Sequence, residues 1–250
     1  MRVFIILLSI LFLNQFSYAQ IVNVEKKRST ESGFNANFKF SLNVSNTGNM
    51  LTQIANTTDV QYHNRKSSFI FLNDLSLLRY DGGDLINDGF QHLRYNYTVQ
   101  DTGFLTLELF TQHQYNEQKI LKRRILVGGG PRFRLIKTPK LLLYFAPLIM
   151  YEHEQRSDEA KTRTDFIRGD AYTNVSFKIS KELSLNHISY YQPKLDEFKN
   201  YRYSGETGLK INITKYLAFS SSFAMDYDAM PPADIPNLFF YFKNQIHLKF

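Results

Sequence analysis

The chain of 250 residues carries 30 Lys and Arg against 23 Asp and Glu, a formal charge of +7, with 22 Phe, 16 Tyr and no Cys. The missing thiols exclude a disulfide-stapled secreted domain and a lipid-anchored lipoprotein. The basic excess is small and dispersed, with no dense Lys/Arg block, so nucleic acid is not an expected partner.

The first element is the run "MRVFIILLSILFLNQFSYAQ". One Arg, an apolar stretch from Val3 to Leu13 and the small-residue pattern Ser17-Tyr18-Ala19 read as a secretory signal peptide, residues 1–19, cut after Ala19. The apolar stretch is too short for a membrane anchor. Residues 20–32 then form an N-terminal periplasmic segment, and 33–250 a single domain. No later stretch reaches the ~18 consecutive apolar residues of a transmembrane helix. Mean hydropathy is −0.32, a soluble-looking average that strands with one apolar and one polar face also produce.

From Gly33 onward the pattern has period two. "FNANFKFSLNV" puts Phe34, Ala36, Phe38, Phe40, Leu42 and Val44 on one face, with Asn35, Asn37, Lys39, Ser41 and Asn43 on the other. "HLRYNYTV" sets Leu93, Tyr95, Tyr97 and Val99 against His92, Arg94, Asn96 and Thr98, and "RILVGGGPRFRL" sets Ile125, Val127, Phe133 and Leu135 against Arg124, Arg132 and Arg134. About twelve such runs are expected, near 33–45, 49–62, 67–80, 89–100, 103–116, 120–136, 140–153, 163–179, 182–192, 200–213, 216–228 and 238–250. Most are long enough for the ~9–11 residues that a tilted strand needs to cross a bilayer.

Connections alternate in character. "HNRK", "QDTG", "KTPK", "SKE" and "TK" are short, whereas "DGGDLINDG", "NEQK", "HEQRSDEAKTR", "PKLDEFKN" and "DAMPPADIPN" are mostly longer and more charged. Asp81, Asp84 and Asp88 sit among glycines as turn residues, without the ordered ladder of a calcium loop. Gly128, Gly129 and Gly130 mark a bend or a close backbone approach, and Pro131 suggests a bulge. "SLNHISYY" breaks parity, since Leu183 and Leu185 share a face with His187 and Ser189; a register-resetting bulge is the expected explanation. A soluble β-sandwich would also alternate. Abundant Phe and Tyr on the apolar faces favour membrane girdles instead. The expected fold class is therefore all-β: a closed antiparallel up-and-down transmembrane β-barrel of about twelve strands in a bacterial outer membrane, with both termini periplasmic.

The segments "RRILVGGGPRFRLIKT", "LLLYFAPLIMYE" and "SKELSLNHISYYQPKLDEFKNYRYSGETGLKINITKYLAFSSSF" resemble the uncharacterised family of salt-induced outer-membrane proteins, over about Gly33 to Phe250. The resemblance implies an outer-membrane barrel of unknown activity, a link to salt stress, and no catalytic residues. The terminal alternation of Phe242, Ile246, Leu248 and Phe250 resembles the C-terminal signal that barrel assembly machinery reads.

Parity points Lys39, Arg94, Glu108, Lys122, Arg124, Arg132, Arg134, Arg168, Asp170, Arg202, Glu206, Lys210 and Asp226 into the lumen. These residues either line a narrow, anion-preferring channel or pair and fill the barrel. The alternatives are a lipid-modifying enzyme built on His187 and Ser189, or a binding barrel acting through its outer loops. Enzymatic activity is thus open, with the balance against it. No cofactor or metal is expected, and the partners are outer-membrane lipid, lipopolysaccharide and, during biogenesis, the assembly machinery.

Overall fold

The computed structural model describes residues 32–99, 103–233 and 235–248. The expected signal peptide, nearly all of the 20–32 segment and Phe250 lie outside the described residues. Twelve strands follow one another: β1 Gly33–Asn46, β2 Met50–His63, β3 Ser67–Tyr80, β4 Gly83–Thr98, β5 Leu105–Asn116, β6 Leu121–Lys137, β7 Leu141–Arg156, β8 Arg163–Lys178, β9 Leu183–Lys194, β10 Glu197–Asn212, β11 Leu217–Asp228 and β12 Leu238–Leu248. They form one sheet in sequence order, each strand antiparallel to the next. A 3-10 turn, Glu117–Lys119, forms the β5–β6 connection, with Asn116 accepting from the Lys119 amide.

The segregation of long loops to one end is weaker than the sequence suggests, because strands overrun the loops. "DGGDLINDG" is mostly β4; its turn is only Asp81–Gly82, with φ of 47° and 86°. Asp-Gly with positive φ at both positions is the two-residue hairpin that matches strand twist. Asp84 consequently pairs with Arg79 at 2.6 Å rather than serving the turn. Likewise β9 and β10 absorb most of "PKLDEFKN", and β7 runs to Arg156. At that end, called here the hairpin end, only 157–162 and 229–237 remain extended connections.

The sheet is strongly curled. Adjacent strands lie ~4.8 Å apart, so a side chain after β5 and one on β11 would be separated by more than ~20 Å in a flat sheet. Lys119 Nζ nevertheless lies 3.2 Å from Asp226 Oδ2. The two faces that result are opposite in character to those of a soluble protein. The convex face exposes large apolar side chains, among them Phe38 at 68%, Leu109 at 61%, Ile149 at 55% and Phe242 at 66%. Soluble monomers rarely expose an apolar surface on this scale. The concave face buries Arg94, Glu108, Arg132, Glu152 and Arg168.

Two expected bulges are absent. β9 pairs with β10 from Leu183 to Pro193 without a register shift, so parity holds through "SLNHISYY". Ile188 and Tyr190 turn inward and are buried because the concave face there is apolar. At Pro131 the β6–β7 register is unchanged from Gly129–Ile149 to Phe133–Phe145; the shifts fall at Leu121/Arg123 and Arg134/Ile136. Proline removes a ladder donor, which interrupts pairing without adding a residue.

Candidate functional site in the concave face

The concave face is built in tiers. Midway along β5–β9, Phe110, Leu126, Ala146, Leu148, Met150, Tyr172, Ile188 and Tyr190 form a buried apolar cluster, with Ile70, Leu72 and Phe90 as a smaller one. The continuous apolar run Leu141–Met150 in β7 gives a strand that is apolar on both faces, with Ala146, Leu148 and Met150 buried on the concave one and Ile149 exposed on the other.

Toward the hairpin end, three guanidinium groups converge on one carboxylate. Arg124 Nε is 3.0 Å from Glu152 Oε1, Arg168 Nε 2.6 Å from Oε2, and Arg202 Nη1 2.5 Å from Oε1. Arg202 also donates to Glu154 and Asp228, each at 2.8 Å. Arg168 donates further to the Gln192 and Asn200 carbonyls. Toward the other end, Glu108 accepts from the Tyr172 hydroxyl at 2.6 Å and lies 3.5 Å from Arg94 and 3.8 Å from Arg132. The Arg132 guanidinium stacks 3.6 Å from the Tyr144 ring centre. Buried charges persist only with such partners.

Of the residues expected in the interior, the structure gathers Arg94, Glu108 and Arg132 into one tier and Arg124, Arg168 and Arg202 into the other. Asp170 is buried and accepts from Gln192 at 3.1 Å, and Asp226 pairs with Lys119. Arg134 and Glu206 are half-buried, while Lys39 and Lys210 are exposed on inward-facing positions. Lys122 is not brought in: the register shift at Leu121/Arg123 gives its inward place to Leu121 and leaves Lys122 exposed. Phe242, Ile246 and Leu248 are exposed on the convex side of β12. Glu152 and Glu154, the central carboxylates, went unread because the charged stretch from His153 onward reads as loop, with Glu152 at its edge, whereas it is the end of β7. Their alternation, two residues apart after Met150, was the available signal.

His187 and Ser189 lie on the convex face, yet they do not touch each other. His187 Nδ1 is 2.8 Å from the Thr207 hydroxyl, and Ser189 Oγ is 2.7 Å from that of Thr173. These are cross-strand pairs that satisfy polar groups on an apolar face; they lack the nucleophile–base contact of a hydrolase. Among the described residues no cluster suited to a metal ion occurs.

At the hairpin end the concave face opens into a cavity of ≈ 120 Å³ between β4–β6 and β9–β12, under the 229–237 connection. The neighbouring loop 157–162 is pinned by Asp158, which accepts from the Thr162 amide at 2.8 Å and hydroxyl at 2.6 Å. Those donors hold its carboxyl below the ordinary value of 3.8. A lowered folded-state value stabilises the loop above the unfolded value and loses that contribution as pH falls through the folded one. Acidification from pH 5 to 2 is therefore expected to lower the protection of the 157–162 amides relative to their intrinsic exchange at each pH, and Asp158→Asn to abolish the step.

A curled, twelve-stranded up-and-down sheet with apolar convex and charged concave faces defines a class of β-structure associated with outer membranes. The chain belongs to the family described as "Protein of unknown function, DUF481", which matches residues 32–237. That description names no activity. No curated protein matches the chain. Among solved structures, a NanC porin in a rhombohedral crystal form is 9% identical, covering 84% of this chain and 100% of that one, with a TM-score of 0.48. A bacterial polysaccharide outer-membrane secretin is 10% identical, covering 86% of each chain, with a TM-score of 0.47.

Proposed function

We propose that the chain is an exported outer-membrane β-barrel, closed by β12 on β1, whose interior is packed on one side and leaves a narrow polar lane for small solutes on the other. The observation that carries the membrane reading is the inversion of faces: Phe38, Leu109 and Ile149 exposed, Glu152 and Arg168 buried with exposures of 0% and 1%. In a bilayer the first group meets hydrocarbon and closure satisfies both strand edges. The tiers on β4–β10 are paired and filled, so the arginines there are structural and do not set selectivity. On the opposite side the inward positions carry polar side chains that no tier fills, among them Asn35, Asn37, Lys39, Ser41 and Asn43 on β1, Lys210 on β10, and Lys243 and Gln245 on β12. Lys39, Lys210 and Lys243 give this lane a cationic lining that favours anions.

Because the chain has no Cys, single thiols test the reading directly in proteoliposomes with a membrane-impermeant maleimide. Ser41→Cys and Ser222→Cys are expected to react within minutes, and Ala146→Cys and Phe71→Cys to stay protected. Rapid labelling at Phe71 would sink the membrane reading. Protection of both Ser41 and Ser222 would remove the lane and leave a sealed barrel. Planar-bilayer recording is expected to show small, anion-preferring events that Lys39→Glu/Lys243→Glu reverses.

A further inference from the structure

The hairpin-end cavity shares β10 and β12 with the lane but lies between different side chains, and its lining is read from the fold alone. We propose that it is a binding site for an uncharged hexose unit.

Its floor is charged but balanced. Lys119, Arg124 and Arg202 face Glu154, Asp226 and Asp228. Arg202 holds Glu154 and Asp228 at 2.8 Å each, and Lys119 holds Asp226 at 3.2 Å. An ionic ligand would have to break one of these pairs and strand the partner, which is the costly way to disturb a desolvated ion pair. A hydroxyl is both donor and acceptor and can add to a paired carboxylate or guanidinium without separating it. The walls offer the same dual chemistry in the amides of Gln114, Gln192 and Asn237.

The roof is of the opposite kind. Pro231, Pro232, Ile235 and Pro236 cover the cavity, with Phe239 at its edge. The connection is pinned at both ends: Met230 N donates to Asp228 Oδ1 at 3.0 Å, and Asn237 Nδ2 to the Asp228 carbonyl at 2.9 Å. Prolines limit how far it can rearrange. A rigid apolar cover over a floor of paired hydrogen-bonding groups matches a pyranose, which has an apolar C–H face and a rim of hydroxyls. The volume, ≈ 120 Å³, amounts to about four waters at ~30 Å³ each, enough for a single sugar ring seated in part, its remaining hydroxyls facing the open mouth. Its place at the end with the extended 229–237 connection puts it at the barrel mouth.

The test uses the full mature chain in detergent micelles, with glucose and maltose as probes and acetate and inorganic phosphate as charged comparators. Saturation-transfer NMR is expected to show contact with the C–H protons of both sugars, and none with acetate. Phe239→Ala is expected to weaken sugar binding about tenfold with an unchanged melting temperature, while Phe240→Ala, on the convex face, leaves it unchanged. Ile235→Arg, which fills the cavity from above, supplies a second variant should Phe239→Ala unfold. No transfer to either sugar, equal binding by the cavity variants, or preferential binding of acetate or phosphate would overturn the proposal. None of these outcomes bears on the thiol-labelling test of the lane.

Discussion

Glu152→Gln is expected to destabilise the folded chain by about 3–5 kcal/mol, the cost of removing one partner from a buried charge network. The carboxylate is fully buried and receives Arg124, Arg168 and Arg202 at 3.0, 2.6 and 2.5 Å. Removing its charge leaves three guanidinium groups converging on a neutral amide that accepts through a single oxygen. Arg202 keeps Glu154 and Asp228, and Arg168 keeps the Gln192 and Asn200 carbonyls. Arg124 has the least to fall back on, so the double variant Glu152→Gln/Arg124→Met is expected to recover part of the loss. Thermal unfolding in detergent, read as heat-modified gel mobility, measures both. An unchanged midpoint for Glu152→Gln would show that the tier contributes no stability. Glu154→Gln serves as the milder control, since it removes contacts to Arg156 and Arg202 only.

Gly128→Val is expected to prevent correct assembly of the β5–β6–β7 wall. A Cβ at Gly128 would sit 2.6 Å from Met150 Cβ, 2.7 Å from the Ile149 carbonyl oxygen and 2.9 Å from Phe110 Cζ. Two of those neighbours belong to the β7 backbone or its first side-chain atom and cannot swing away. Overpacking by even one methyl costs about 1–3 kcal/mol, and valine adds two more carbons to the same space. Gly129 is under similar constraint, with the Glu108 carbonyl oxygen 2.5 Å from its Cβ position. Gly208 offers the contrast. Nothing lies within 4 Å of its Cβ position, so Gly208→Ala is expected to be neutral or stabilising by about 0.5–1 kcal/mol. Comparing folded yield in detergent for these variants separates a packing requirement at Gly128 from a general intolerance of substitution. Equal yields for Gly128→Val and Gly208→Ala would refute it.

Strand parity was legible wherever the convex residue is large and apolar, as in Phe34–Val44 and Leu93–Tyr97. It was misread at His187 and Ser189, where two polar residues occupy convex positions. Their cross-strand partners lie 20 residues away for His187 (Thr207) and 16 for Ser189 (Thr173), and form no local pattern. The charged loop expected over "HEQRSDEAKTR" hid Glu154, since charge in a segment marks solvent only when no opposite charge faces it. The apolar tier was visible as the unbroken run Leu141–Met150, although alternation elsewhere made a uniformly polar interior the natural expectation.

By itself, the sequence determined the number of strands, their order and which side chains share a face, because period-two alternation acts over a few residues. Only the tertiary structure decided that Glu152 collects three arginines, that Lys119 reaches Asp226, and that the 229–237 connection covers a cavity. The reach of Arg202 on β10 to Glu152 on β7, and of Lys119 to Asp226 on β11, crosses three or more strands, and it depends on how tightly the sheet curls, a property set by side-chain volumes around the whole concave face.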